Sequence, residues 1–463
     1  MNRKTFHLTA LGCAKNDVDS DSMVQLLERD GFRAVRHPEK ASILIVNTCG
    51  FIGPAREESY SVLRELSEAK RPDQLLIAAG CLTQRYGAEV ARQVPGLDGI
   101  LGTRRWMDIV EVVRQLRSRP QPASGIQQAQ TGNPGLRPEP LYHLPETPTI
   151  GTDENGALRA SIAGASAYLK IADGCRRPCA FCAIPLIKGT TVSRPLETIL
   201  EEASRLRDLG MREIVLIAQD TTDYGHDLGL QDGLATLLKK MTVAIPEVDW
   251  IRILYAFPGY VTDRLIDVMA SHPQVLPYLD IPLQHAAPAT LTRMRRPANI
   301  DWVHSTIAKM RSRLPKLAIR TTFIVGYPGE TRAEFQTLLD FIEEMRFDHV
   351  GAFQYSAEIG TASEALGDPV SATVKERRFE RLMELQQGIS LQINQSFVGQ
   401  KLDVLIEGQE KNGIAIGRSY RDAPEIDGMV LVEGKAELGS IIPVRITGAM
   451  AYDLSGVPES QKR

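Results

Sequence analysis

The run Gly174–Gly189, GCRRPCAFCAIPLIKG, decides how this chain is read. It follows Tyr168–Ala172, an apolar stretch of the kind that forms a buried parallel strand. Cys175, Cys179 and Cys182 can converge from one short loop. Structural zinc normally takes four closed ligands. The nearest histidines, His143 and His226, are distant in sequence. Three thiolates on a four-iron cluster leave one iron open, and such clusters are held by cysteines at close spacings. Three buried structural cysteines or an incomplete zinc knuckle is the alternative.

Working outward, apolar runs alternate with helical stretches. Strands are expected at Glu213–Ala218, Trp250–Tyr255, Tyr278–Ile281, Ala318–Val325 and His349–Tyr355. Helices are expected between them, at Leu196–Leu209, Leu230–Met241, Thr262–Ser271, Trp302–Leu314 and Arg332–Met345. Six β/α units suit a partial (β/α)6 barrel, with chemistry at the carboxyl ends of its strands. Residues 374–395 read as one long helix. Beyond it Leu402, Val404 and Ile406 alternate with polar residues, the period of a strand, so 396–463 reads as a small antiparallel β-barrel. Upstream, residues 1–117 read as a parallel-sheet α/β domain with strands Thr5–Leu11, Ile43–Val46 and Leu75–Ala79. Residues 118–160 hold seven prolines and no periodicity, which reads as a linker before the barrel domain of 161–395.

Composition agrees. With 463 residues, 43% hydrophobic and 24% charged, the chain is globular and too long for one core. No apolar run reaches the roughly 18 residues of a membrane span. The net charge of −3 gives no global pull toward nucleic acid or anionic lipid. The start MNRKTFHLTALGC faintly imitates a lipoprotein signal, but its apolar run contains His7 and is far too short. A cytoplasmic protein with reduced thiols is the expectation.

Cys13, Cys49 and Cys81 are far apart in sequence, yet each directly follows an expected strand, in LTALGC, LIVNTC and LIAAGC. Parallel strands end on one edge, so the three thiols can meet there. Buried structural cysteines fit that placement equally well.

CxxxCxxC after a first barrel strand resembles the signature of the radical S-adenosylmethionine superfamily. The resemblance implies that Cys175, Cys179 and Cys182 hold a 4Fe–4S cluster whose open iron chelates S-adenosylmethionine. It implies reductive cleavage to a 5′-deoxyadenosyl radical. It also sets Phe181 near the adenine, a position a core phenylalanine fits as well. LGCAKNDVDSD, NTCGFI and AAGCL resemble the amino-terminal domain of the methylthiotransferases. That implies a second 4Fe–4S cluster on Cys13, Cys49 and Cys81, carrying the sulfur to be transferred. The resemblance spans nearly the whole chain and makes the last barrel a TRAM domain. It includes LIAQDTTDYG ending at Gly225, Asp280–Arg296 and FIVGYPGET at Phe323–Thr331. Gln219, Asp220, Gly326 and Gly329 are therefore cofactor-pocket candidates, with loop geometry as the plainer account of the glycines. Arg194 can pair with a carboxylate or stay solvated.

Family members modify either a transfer-RNA adenosine or an aspartate of protein twelve of the small ribosomal subunit. From Ser396 to Arg463, eight basic residues face ten acidic ones. A transfer-RNA grip needs a basic surface; an acidic barrel suits a basic protein. GCRRPCAFCAIPLIKG and GRSYRDAPEIDG (Gly417–Gly428), the latter carrying Asp422, Glu425 and Asp427, resemble the ribosomal-protein branch. The expected reaction is methylthiolation of the aspartate β-carbon with two S-adenosylmethionine molecules per turnover. The partners are the ribosomal protein, free or in its subunit, and an electron donor, with no membrane and no specific DNA. A transfer-RNA methylthiotransferase and a non-catalytic iron–sulfur carrier are the rivals. The β/α units and GYPGET speak against the carrier.

Overall fold

A computed structural model describes residues 4–119, 139–146, 156–411 and 413–459. Most of the Pro-rich linker, and Lys462 and Arg463, lie outside the described residues. The chain divides into two compact units. One holds 1–161 together with the short stretches 173–176 and 183–192; the other holds the rest, radical domain and terminal barrel together.

The first unit is a parallel sheet of β1 (Thr5–Ala10), β2 (Arg33–Ala34), β3 (Ile43–Thr48), β4 (Leu75–Gly80), β5 (Gly99–Gly102) and β6 (Leu141–His143), in the order β2-β1-β3-β4-β5-β6. Successive side chains of a strand point to opposite faces. Ile43, Ile45 and Ile77 accordingly pack on one side with Leu27 of α1 (Ala14–Arg29) and Val112 of α4 (Ile109–Ser118). Leu44, Val46 and Leu76 pack on the other with Leu63 of α2 (Gly53–Ala69) and Val90 of α3 (Cys81–Gln93). Both faces are covered, which is why these strands read as unbroken apolar runs. The stretch expected to be only linker supplies the edge strand β6.

The second unit begins with a seven-stranded open sheet, the partial barrel expected. Its order is β15-β14-β13-β12-β11-β8-β7: β7 Ala160–Ala163, β8 Ser166–Lys170, β11 Glu213–Ile217, β12 Trp250–Ile253, β13 Val275–Asp280, β14 Ala318–Val325 and β15 His349–Gln354. Two-residue strands β9 (Ala172–Asp173) and β10 (Val192–Ser193) form a separate pair. Helix α5 (Ile184–Lys188), which follows the cysteine run, lies in the stretch 183–192 that belongs to the first unit. The covering helices are α6 (Leu196–Asp208), α7 (Gly233–Ala244), α8 (Asp263–Ser271), α9 (Pro288–Arg293), α10 (Ile300–Arg313), α11 (Arg332–Met345) and α12 (Ala372–Gln395). Thr331 opens α11 with a capping box: Glu334 N–H donates to its hydroxyl, and its own N–H donates to the Glu334 carboxylate.

Strands β16 (Lys401–Gln409), β17 (Ile414–Ser419), β18 (Val430–Glu433), β19 (Ile441–Ala449) and β20 (Leu454–Pro458) close into the barrel β16-β17-β18-β20-β19. Its pairings are antiparallel except β18–β20, which is parallel. The small antiparallel barrel expected from the sequence is thus present. A ring with an odd number of strands cannot alternate direction all the way round, so one parallel pair is unavoidable.

The loop Tyr420–Asp427, between β17 and β18, docks on the strands of the radical-domain sheet near their amino-terminal ends. Those strands bury charges there. Glu213 accepts from Arg252 Nε at 2.7 Å and from Arg418 Nη2 at 2.6 Å. Arg252 donates to Tyr420 O, and Tyr278 Oη donates to Asp427 at 2.6 Å. Arg320 and His349 lie 3.3 and 3.7 Å from the same Asp427 carboxylate. Arg421 pairs with Asp348 at 3.0 Å. Asp422 and Asp427 thus face inward, and only Glu425 of the three acids is exposed. Burial pushes the Glu213 carboxyl up, but Arg252 and Arg418 outweigh it and hold its pKa at about 2, against an ordinary 4.5.

Removing one partner of a buried pair strands the other. Arg418→Ala is expected to destabilise the full chain by about 3–5 kcal/mol in urea unfolding near neutral pH. A carboxylate with a depressed pKa stabilises fully above its unfolded value. The Arg418 effect should therefore persist above pH 4.5 and shrink as pH falls toward 2. A loss below about 1 kcal/mol at neutral pH would show that the network does not hold the terminal barrel.

Candidate iron–sulfur and S-adenosylmethionine sites

In the first unit β1, β3 and β4 are neighbours, with Ala10 opposite Asn47 and Thr48 opposite Gly80. Each strand therefore delivers its cysteine to one edge. Cys13 caps α1, Cys81 opens α3, and Ser59 Oγ clamps Cys49 by accepting from its N–H and donating to its carbonyl, both at 3.0 Å. Two helix amino termini thus sit beside thiols, where their dipoles favour thiolate.

Glycines let the three ends approach. A Cβ on Gly12 would lie 2.8 Å from Cys49 Cβ. On Gly50 it would lie 2.6 Å from Leu82 Cα, and on Gly80 (φ +105°) 2.5 Å from Thr48 O. Asn16 and Asn47 tie the loops together: Asn16 Nδ2 donates to Leu11 O and Asn47 O, and Asn47 Nδ2 to Asn16 O and Ser20 Oγ. Burial pushes the Cys49 thiol up and the Cys81 thiol up to about 12, each raised further by its cysteine neighbours. Nearby Lys188 acts the other way on Cys81. Lys188 Nζ is itself buried between Asp19 (3.0 Å) and Asp173 (3.4 Å).

None of the six cysteines is recorded in a disulfide. Among the described residues no three His, Cys, Asp or Glu side chains converge as they would around a single metal ion. Three partly accessible thiols in a glycine cradle, beside helix amino termini, suit the larger cluster, whose corners spread its thiolate ligands.

The second cysteine run is held by backbone. Gly174 is left-handed (φ +76°), and Cys175 N–H donates to Gly189 O at 3.0 Å. In the second unit Cys182 N–H donates to Cys179 O, Ala180 N–H to Met294 O (2.9 Å), and Ser363 N–H to Ala180 O (2.9 Å). Arg177, inside the run, is buried and donates to Asp220 (2.6 Å) and Asp223 (3.3 Å), with its guanidinium 3.6 Å from the Tyr260 ring centroid.

The pocket candidates fall at carboxyl strand ends. Gln219 lies two residues past the end of β11. Asp220 is buried, and its carboxylate is engaged by Arg177 and by the N–H and hydroxyl of Thr222. Gly326 (φ +73°) and Gly329 (φ +78°) shape a turn that Glu330 closes, accepting from the N–H of Gly326 and of Tyr327. Phe181 packs against Met294, Tyr327 and Tyr355. Arg194 is buried on Glu202 at 2.7 Å. Sequence reasoning missed Glu330, Arg177 and the two asparagines. GYPGE and GCRRPC contain the first two, but only the fold shows what they grip.

Comparison with known proteins agrees with this geometry. Residues 5–102 match the uncharacterized protein family UPF0004, 169–342 the radical SAM superfamily and 398–458 the TRAM domain. The chain is 49% identical to the ribosomal protein uS12 methylthiotransferase RimO of Chloroflexus aurantiacus, covering 97% of this chain and 99% of that one. It is 47% identical to the protein of the same name from Roseiflexus sp. (strain RS-1), covering 97% and 96%. The radical S-adenosylmethionine methyltransferase TsrM of Kitasatospora setae shares the fold at 12% identity, with TM-score 0.56 over 87% of this chain and 76% of that one. Fold and site define a radical S-adenosylmethionine enzyme, a class that works with a 4Fe–4S cluster and S-adenosylmethionine. Within it, the chain belongs to the RimO family of ribosomal protein uS12 methylthiotransferases.

Because a Cβ on Gly50 would press on Leu82 backbone beside Cys49 and Cys81, Gly50→Ala is expected to lower the iron that the chain binds. Iron and sulfide per chain after anaerobic reconstitution check this. Gly388→Ala on α12, where a Cβ meets nothing within 4 Å, should leave the iron unchanged.

Proposed function

We propose that this chain methylthiolates the β-carbon of an aspartate in ribosomal protein uS12, with two 4Fe–4S clusters and two S-adenosylmethionine molecules per turnover. The observation that carries the reading is the glycine-cradled trio Cys13, Cys49 and Cys81, additional to the radical-type run. When bound, the clusters supply the electron that cleaves S-adenosylmethionine and the sulfur that is transferred. Cys175, Cys179 and Cys182 would hold the first, and Cys13, Cys49 and Cys81 the second. Gln219, Gly326, Gly329 and Phe181 line the cofactor side, while Asp220 fixes the cysteine loop through Arg177.

The aspartate β-carbon carries no acidic proton at neutral pH. Its activation therefore calls for hydrogen abstraction by a carbon radical rather than for an acid–base pair. The work runs in the cytoplasm, where thiols stay reduced, with an electron donor and with uS12 free or in its subunit. The acid excess of the terminal barrel supports a basic protein acceptor over transfer RNA.

Replacing Cys13, Cys49 and Cys81 together with alanine should leave 5′-deoxyadenosine formation intact and abolish methylthiolation of uS12, both read by mass spectrometry. Iron should fall from about eight to about four per chain. Loss of cleavage in this variant would contradict the division of labour, and product on transfer RNA would redirect the acceptor.

A further inference from the structure

We propose that Arg296 tunes the reduction potential of the cluster on the CxxxCxxC loop, raising it through a charged hydrogen bond to Cys179. The proposal rests on the cluster reading above. Seven arginines are buried among the described residues. Six have a carboxylate partner: Arg159 with Asp19, Arg177 with Asp220, Arg194 with Glu202, Arg252 and Arg418 with Glu213, and Arg421 with Asp348. Arg296, 8% exposed, is the exception. Its Nη1 donates to Cys179 Sγ at 3.5 Å, its Nη2 to Pro282 O, and its guanidinium lies 4.2 Å from the Phe257 ring centroid. Its Nε finds no partner among the described residues. A buried cation calls for a negative counterpart, and the anion within its reach is the Cys179 thiolate.

The backbone is shaped to deliver this contact. Just past helix α9, Arg295 is held left-handed at φ +53° although it has a side chain. That turn lets Arg296 N–H close on Leu291 O and leaves Met294 O free to accept from Ala180 N–H. One strained turn therefore grips the cysteine loop twice, at Ala180 by backbone and at Cys179 by charge. Strain kept where the surroundings over-determine it marks a functional position.

One-electron reduction by an external reductant adds a negative charge to the cluster and its thiolates and moves no proton. A fixed guanidinium on a ligand sulfur favours that reduced state, as hydrogen bonds to cluster sulfurs do generally. Arg296 is in this sense a positioning residue acting through Cys179.

The test is an EPR-monitored redox titration of the full chain carrying Cys13, Cys49 and Cys81→Ala, so that one cluster is read. Arg296→Met should lower the reduced-to-oxidised ratio at fixed potential about tenfold, a fall of about 59 mV for a one-electron couple. An unchanged midpoint overturns the proposal. A parent that binds no iron overturns the cluster reading and the proposal with it. If Arg296→Met loads no iron, Arg296→Gln, uncharged but still a donor, decides: a lowered midpoint supports tuning. An unchanged midpoint, or loss of iron here too, makes Arg296 a structural clamp and overturns it.

Discussion

In a parallel sheet every strand ends on the same edge, and the chemistry of this chain depends on that constraint. Cysteines 36 and 32 residues apart become neighbours because β1, β3 and β4 are adjacent and in register. The same rule brings Gln219, Phe257 and Gly326 toward one edge of the second sheet, and Arg296 joins them from beyond α9 by donating to Pro282 O and stacking on Phe257. Adjacency alone would leave strand ends a strand spacing apart, with side chains between them. Gly12, Gly50 and Gly80 remove those side chains, so backbone meets backbone beside the thiols. The apolar core sets the register, and the glycines turn it into a site.

The opposite edge of the second sheet carries a different load. Glu213, Arg252, Tyr278 and Arg320 are too polar to close a core by themselves. The loop Tyr420–Asp427 satisfies them, so the terminal barrel belongs to the enzyme's own fold rather than hanging from it. Ion pairs of this kind add little net stability over apolar packing, yet breaking one is costly. Their effect is to fix one docking of the barrel.

How much of this was legible follows from which signals are local. Apolar runs located Thr5–Ala10, Ile43–Thr48, Leu75–Gly80 and the radical-domain strands to within a few residues, because burial on both faces leaves a continuous trace. The two-residue β2, the glycine-rich β5 and β6 in proline-rich sequence left none. Each is short and polar or glycine-rich and gains its place from a neighbouring strand. The cysteine positions could be read because a thiol after a strand is visible in one dimension. Arg177, Glu330 and Arg296 could not, because their partners are 43, 4 and 117 residues away and the residues between give no periodic hint. The acids of DAPEIDG were visible, but not their destination. Two of the three point into the enzyme.

That destination bears on the acceptor. The eight basic and ten acidic residues of 396–463 include some that the fold withdraws from the surface. Arg418, Arg421 and Asp422 are buried, as is the side chain of Asp427, so none of the four carries its charge to the surface. Removing two bases and two acids leaves six basic against eight acidic residues, the same excess of two acids. Of the remaining bases, Lys401 and Arg445 are paired with Glu459. Among the described residues a polyanion is left with Lys411 and Lys435, whereas a basic protein meets the exposed acids Asp403, Glu425, Glu433 and Glu437. The buried network thus leaves the balance of the bare sequence count unchanged, since it withdraws as many acids as bases, and a net acidic surface still favours a basic protein over a nucleic acid.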